Sequence, residues 1–124
     1  MIFDWNDFRV LAEELRERED EAAKRTAIGR LYYAIYWRAR NLLEDEGFVY
    51  RRSEQSHQQI WQEFKFRGRT HRVIGVLGLD LRDNRVEADY FSEIDDIKSL
   101  ADSSFEIAEK ITVYLEQIEK KIQN

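Results

Sequence analysis

Apolar side chains recur every three to four residues along most of the chain, which is the spacing of one face of an α-helix. In chain order, the first predicted helix begins at a cap at Asp4 or Asn6, and the second runs from about Glu21 to Glu46. The third follows a cap at Ser53 or Ser56 and breaks at Gly68. The fourth spans His71 to Tyr90, and the last runs from a cap at Ser92 nearly to the C-terminus. Residues 1–124 are therefore expected to form one domain of the all-α class, a helical bundle of four to five helices with a long C-terminal helix.

The composition supports this fold class. Among 124 residues there is no proline and there are only five glycines, so little interrupts the helices. Hydrophobic residues make up 43% and charged residues 36%, which is typical of a soluble globular domain and not of a disordered chain. The opening MIFDWNDF lacks the features of a signal peptide, and no apolar run approaches the ~20 residues of a membrane span. We therefore expect a cytoplasmic protein without a membrane contact.

The centre of the second helix, RLYYAIYW at residues 30–37, is apolar around more of its circumference than one packing face needs. Two interpretations are open. The helix is either surrounded by its own bundle, or part of this surface packs against a second subunit.

Net charge is −5, which argues against a protein covered in basic charge for gripping long nucleic acids. Residues 51–72, here called the basic segment, nevertheless hold six basic side chains against two acidic ones, and both histidines, His57 and His71, lie there too. The segment is either a solvated loop that happens to be basic or a contact for phosphate groups or an acidic partner.

Several chemistries are excluded by the sequence. The absence of cysteine removes thiol nucleophiles and thiolate metal sites, and the two histidines do not have metal-ligand spacing. Gly75 and Gly78 lack the lysine and the strand-to-helix context of a phosphate loop, and no serine stands in a nucleophile elbow. We expect neither a metal nor another cofactor.

Three segments, in this order, carry a resemblance to a known family. They are RLYYAIYWRARNLLEDEGF at residues 30–48, SHQQIWQEF at 56–64 and LRDNRVEADYF at 81–91, followed by the long C-terminal helix. Together they resemble the HEPN superfamily of small prokaryotic helical domains, over most of the chain.

The resemblance implies a function. Many HEPN domains are metal-independent endoribonucleases, often toxins paired with a small nucleotidyltransferase-like antitoxin or parts of defence systems, and they act as dimers with arginine and histidine meeting across the interface. In such a site a histidine moves the proton of a ribose 2′-hydroxyl near neutral pH, and an arginine stabilises the charged phosphorane.

The family motif is an arginine, four to six residues, then a histidine, commonly followed after one residue by a tyrosine. Arg52 and His57 in RSEQSH have this spacing, but they precede the third helix, whereas the motif belongs before the C-terminal helix. The matching segment there is RVEADY, in which Arg85 matches the arginine, Tyr90 matches the tyrosine, and Asp89 stands where histidine is expected. The catalytic residues are therefore unassigned, with Arg52, His57 and Arg85 as candidates.

Arg82, Arg85 and Asp89 share one face of the fourth helix. They form either a surface ion pair or, with Tyr90, a groove that binds an RNA or nucleotide phosphate, with Asp89 orienting an arginine.

The expected function is an RNA- or nucleotide-binding protein, the toxin-like component of a toxin–antitoxin or defence pair, that is a homodimer and has weak or no nuclease activity. One alternative is an active metal-independent endoribonuclease. The other is a protein-interaction module without a nucleic-acid role.

Overall fold

The computed structural model describes residues 1–49 and 56–123, and within these ranges the chain forms five α-helices and no strand. The helices are α1 (Asn6–Arg16), α2 (Glu21–Asp45), α3 (Ser56–Lys65), α4 (Arg69–Tyr90) and α5 (Ile97–Gln123). The prediction of an all-α bundle with a long C-terminal helix is confirmed. No helix in the described part of the chain has the length and apolar character needed to cross a bilayer.

Helix α2 lies at the centre of the bundle and contacts all four other helices. Leu31, Tyr32, Ile35 and Tyr36 are each at most 3% exposed, so the wide apolar surface of residues 30–37 packs inside the chain itself. Of the two interpretations of this surface, the surrounding bundle accounts for these four side chains.

The end of α2 is fixed by Gly47, as its sequence position predicts. Gly47 has a φ of 97°, a left-handed conformation that glycine adopts without steric cost. The Phe48 amide donates to the Leu43 carbonyl at 2.9 Å and the Gly47 amide to the Glu44 carbonyl at 3.0 Å, which is the Schellman arrangement. The last turn of α2 therefore has internal partners for its carbonyl groups.

Helix α4 begins at Arg69, two positions before the predicted His71, and contains both glycines that weaken its helical signal. Packing explains their presence. A Cβ at Gly78 would lie 2.1 Å from the Trp61 ring, and one at Gly75 would lie 2.5 Å from the Trp61 carbonyl oxygen. Because Trp61 is fully buried, the glycines provide the close approach of α3 to α4 that accommodates it.

The predicted helix start at Ser92 is wrong, because α5 begins at Ile97. The Asp96 carboxylate accepts hydrogen bonds from the Ser99 amide at 3.0 Å and the Ser99 hydroxyl at 2.8 Å, so Asp96 performs the capping role assigned to Ser92. Arg25 of α2 donates to the carbonyls of Ala88 and Phe91, which holds the end of α4.

The apolar stripe predicted for α5 is largely confirmed. Six of its positions are buried: Ala101, Ser104, Ala108, Ile111, Leu115 and Ile118. Ile122, at the end of the stripe, is 51% exposed.

The glycine at the α3–α4 contact yields the first prediction. Gly78→Ala should lower the free energy of unfolding by about 1–3 kcal/mol, since the added methyl group collides with the Trp61 ring and this cost exceeds the gain in helix propensity. The matched control is Gly29→Ala in α2, where the new Cβ would lie 3.5 Å from an Asp89 oxygen, an ordinary contact, so stability should be unchanged or higher. Urea unfolding of both variants measures the difference, and equal effects would contradict the packing argument.

Candidate functional site

Six side chains from α2, α3 and α4 meet where these helices pack together, and we call them the Tyr–His–Arg cluster. They are Tyr32, Tyr33 and Tyr36 of α2, His57 and Trp61 of α3, and Arg85 of α4. The cluster unites the histidine at the start of the third helix with the arginine of RVEADY, although the two belong to different segments of the sequence.

A chain of hydrogen bonds runs through the cluster from the core outward. The Trp61 indole Nε1 donates to the Tyr32 hydroxyl at 3.0 Å, and this hydroxyl lies 3.0 Å from Nδ1 of His57. An indole N–H can only donate, and Tyr32 is fully buried, so its hydroxyl hydrogen needs an acceptor. Among the described residues the only acceptor within hydrogen-bond distance is Nδ1, which must then be unprotonated. In this arrangement the imidazole carries its proton on Nε2.

His57 is neutral at physiological pH. Burial, together with the positive charges of Arg85, Arg82 and Arg40, lowers the pKa of His57 to about 4. Its ring packs 4.3 Å from the Tyr36 ring centroid, consistent with an uncharged imidazole between aromatic side chains. The cluster therefore contains a neutral imidazole that offers a hydrogen-bond donor, Nε2–H.

Arg85 is anchored by one hydrogen bond and one ion pair. Its Nη2 donates to the Tyr33 hydroxyl at 2.9 Å, and its Nε lies 3.3 Å from an Asp89 carboxylate oxygen without hydrogen-bond geometry. Burial by itself would lower the pKa of Arg85, but the Tyr33 hydrogen bond and the Asp89 charge raise it above the ordinary value. Only one of its five N–H groups thus has a protein acceptor among residues 1–49 and 56–123.

The other candidates from the sequence lie at different distances from this cluster. Arg82 is half-buried, 3.7 Å from Asp83, and its charge acts on His57. Asp89 pairs with Arg85, as the shared helix face predicts. Tyr90 is 73% exposed and has no aromatic or hydrogen-bond contact with the cluster in the described part of the chain. Arg52 lies outside the described residues.

Sequence reasoning missed Tyr32, Tyr33 and Trp61 as site residues. The signal available was chemical: RLYYAIYW places hydroxyl groups on a face that is otherwise apolar, and a buried phenol or indole needs a polar partner. That partner, His57, could not be identified from spacing, because α2 and α3 are brought together only by the folded bundle.

Among residues 1–49 and 56–123, no group of three or more His, Asp or Glu side chains is placed to hold a metal ion. Comparison with family models, curated proteins and solved structures finds no match to this chain.

The lowered pKa of His57 gives a prediction for stability. The pKa of His57 is about 6.5 in the unfolded chain and about 4 in the folded one, so the unfolded state binds more protons between these values. Neutral His57 therefore stabilises the fold above pH 6.5, and this contribution is lost as the pH falls toward 4. With the solvent screening of a half-exposed group included, the loss should be about 1–2 kcal/mol.

The measurement compares urea unfolding of the wild type and His57→Asn at pH 7.5, 6 and 4.5. Asparagine retains an acceptor for the Tyr32 hydroxyl but does not titrate, so the free energy of unfolding should fall less steeply for the variant. Parallel pH profiles would show that His57 is not held neutral.

Proposed function

We propose that the protein binds RNA or a nucleotide and that the Tyr–His–Arg cluster holds one of its phosphate groups. The observation that carries the proposal is the donor-rich character of the cluster. Three of the four Nη N–H groups of Arg85 have no protein acceptor in the described chain, whereas its Nε is buried beside Asp89. Tyr33 accepts from Arg85 and so keeps its hydroxyl hydrogen available, and His57 offers Nε2–H. Phosphate oxygens only accept hydrogen bonds, and a guanidinium binds them with both charge and geometry.

We further propose that cleavage at this site is weak or absent. A general base must accept the proton of the attacking 2′-hydroxyl, but Nε2 of His57 already carries a proton and Nδ1 is occupied by Tyr32. Asp89, at the position of the family histidine, is engaged in an ion pair with Arg85.

An active metal-independent endoribonuclease is the second candidate. The observation that favours it is the meeting of His57 and Arg85 in one cluster, since these are the two residue types of the HEPN motif. Activity requires the hydrogen bond from the Tyr32 hydroxyl to Nδ1 of His57 to break, so that the ring proton moves to Nδ1 and Nε2 becomes an unprotonated acceptor.

The proposed biological role is that of the toxin-like component of a toxin–antitoxin or defence pair, with a nucleotidyltransferase-like antitoxin as partner. Its support is the resemblance to the HEPN superfamily, and an adjacent nucleotidyltransferase-like reading frame would strengthen it. The proposed homodimer also rests on this resemblance. The apolar surface of α2, which could have packed against a second subunit, is covered within the chain and does not add support. Sedimentation at micromolar concentration that shows only a monomer would refute the homodimer.

Binding is tested with single-residue charge removal. Arg85→Gln should weaken binding of a fluorescein-labelled single-stranded RNA about 10-fold, as expected for the loss of a charged hydrogen-bonding group worth about 1.5 kcal/mol. The matched control is Arg18→Gln, which removes the same charge from an exposed arginine paired with Asp20 between α1 and α2. Fluorescence anisotropy at several salt concentrations gives both affinities, and equal losses in the two variants would mean that the cluster is not the phosphate site.

Cleavage is tested by incubating mixed RNA with the wild type, His57→Ala and Arg85→Ala in the absence of divalent metal. We expect no cleavage by any of the three proteins, because loss of a competent acid–base partner costs about 10²–10⁴ in rate. Robust wild-type cleavage abolished by His57→Ala would establish the endoribonuclease in place of the binding protein. Cleavage abolished only by Arg85→Ala would place the reaction at the RVEADY segment, with Asp89 in a proton-transfer role.

A further inference from the structure

The turn between α3 and α4 exposes a large aromatic side chain to water. Phe66 is 85% exposed, more than any other aromatic side chain among the described residues. The backbone around it is fixed by hydrogen bonds, since the Phe66 amide donates to the Glu63 carbonyl at 3.1 Å and the Arg67 amide to the Phe64 carbonyl at 3.3 Å. The ring is therefore presented on an ordered turn.

Three exposed cations lie close to Phe66 along the chain, and none of them has an ion-pair partner among the described residues. Lys65, Arg69 and Arg72 have neither an acidic group within 4.0 Å nor a stacked ring in the described part of the chain. Every other arginine in the described part of the chain has an acidic group within 4.0 Å or lies over an aromatic ring. Arg67, in the same turn, pairs with Glu63 at 3.1 Å, and Arg30 lies over the rings of Phe8 and Tyr33.

Among the described residues, Arg69 and Arg72 are the two arginines without such a partner, on a chain whose net charge is −5 and whose acidic side chains are in excess. An exposed aromatic ring, with cations that lack acidic partners a few residues away in the chain, matches a ligand that offers both an unstacked planar face and negative charge. Single-stranded nucleic acid has both, as bases stack on aromatic side chains and phosphates pair with Arg and Lys. A membrane surface fits less well, because membrane-binding faces bury several apolar side chains, and the nearest exposed apolar residue along α4 is Val76, at 44%.

We propose that the α3–α4 turn is a second RNA contact, in which a base stacks on Phe66 and neighbouring phosphates pair with Lys65, Arg69 and Arg72. This inference rests on the proposed function and narrows its ligand to single-stranded RNA. From His57 to Phe66 the chain rises along α3 by about 14 Å, at 1.5 Å per residue. A strand of about four stacked nucleotides, at 3.4 Å each, spans that distance. The two contacts together favour an oligonucleotide over a mononucleotide.

The test measures anisotropy of a fluorescein-labelled oligouridine 12-mer and competition by unlabelled uridine monophosphate. Phe66→Leu keeps an apolar side chain but removes the aromatic face, and should weaken 12-mer binding about 5–150-fold, the value of one base–aromatic stack of about 1–3 kcal/mol. Phe66→Trp keeps the face and should retain the affinity. Because Phe66 is exposed, neither change disturbs the core.

The charges are tested by the triple variant Lys65→Gln, Arg69→Gln, Arg72→Gln. Each phosphate contact on a single strand contributes about 0.7 to the slope of log K against log salt, so the slope should fall by about 2. The matched control, Arg18→Gln, Lys98→Gln, Lys110→Gln, removes the same charge from other surfaces and should leave the slope near that of the wild type.

The outcomes separate this inference from the proposed function. If Arg85→Gln weakens binding of both the 12-mer and uridine monophosphate, and the turn variants weaken binding of the 12-mer alone, then the phosphate site and the second contact both stand. If Arg85→Gln weakens the 12-mer while the turn variants do not, the second contact is refuted and the phosphate site stands. Absence of wild-type binding refutes both. Sedimentation with phosphatidylserine-containing vesicles that depends on Phe66, without an effect on RNA, would overturn the RNA contact in favour of a membrane surface.

Discussion

The burial of Trp61 is the interaction on which the rest of the structure depends. Its indole ring occupies space that any side chain larger than glycine at position 78 would fill, and its N–H bonds to the Tyr32 hydroxyl. One side chain therefore sets the distance between α3 and α4 and also joins α3 to α2. The position of His57, one turn earlier on α3, follows from this packing, so core geometry and cluster geometry are inseparable.

The electrostatics of the cluster follow from the same arrangement. Aromatic rings shield His57 from water, and the positive charges of neighbouring guanidinium groups act on it. The imidazole therefore stays neutral while Arg85 stays charged. A neutral donor next to a fixed cation suits the recognition of an anion without requiring proton transfer. The same burial gives the cluster its charge pattern and holds Nδ1 of His57 against the Tyr32 hydroxyl.

The helices and their order could be predicted from the sequence, because hydrophobic periodicity and the glycine at position 47 are local signals. Gly75 and Gly78 could not be explained from the local sequence. Helix propensity makes glycine unfavourable inside a helix, whereas the packing of Trp61 against α4 requires glycine at both positions. The start of α5 was misplaced because Ser92 and Asp96 are both acceptable caps, and the hydrogen bonds to Ser99 favour the latter. Arg85 was recognisable as a candidate from its segment, but its proximity to His57 depends on three helices packing together.

The contact of Arg25 with the end of α4 has a consequence for how the chain can vary. Because Arg25 of α2 donates to the carbonyl groups of Ala88, Phe91 and Ser92, the last turn of α4 and the two residues after it are held by α2. Asp96 caps α5, so residues 93–95 form the connection between these two fixed points, and loop closure costs little for a few added residues. Insertions or exchanges there would leave Arg85 in place, so evolution can alter the surface beside the cluster independently of the cluster itself.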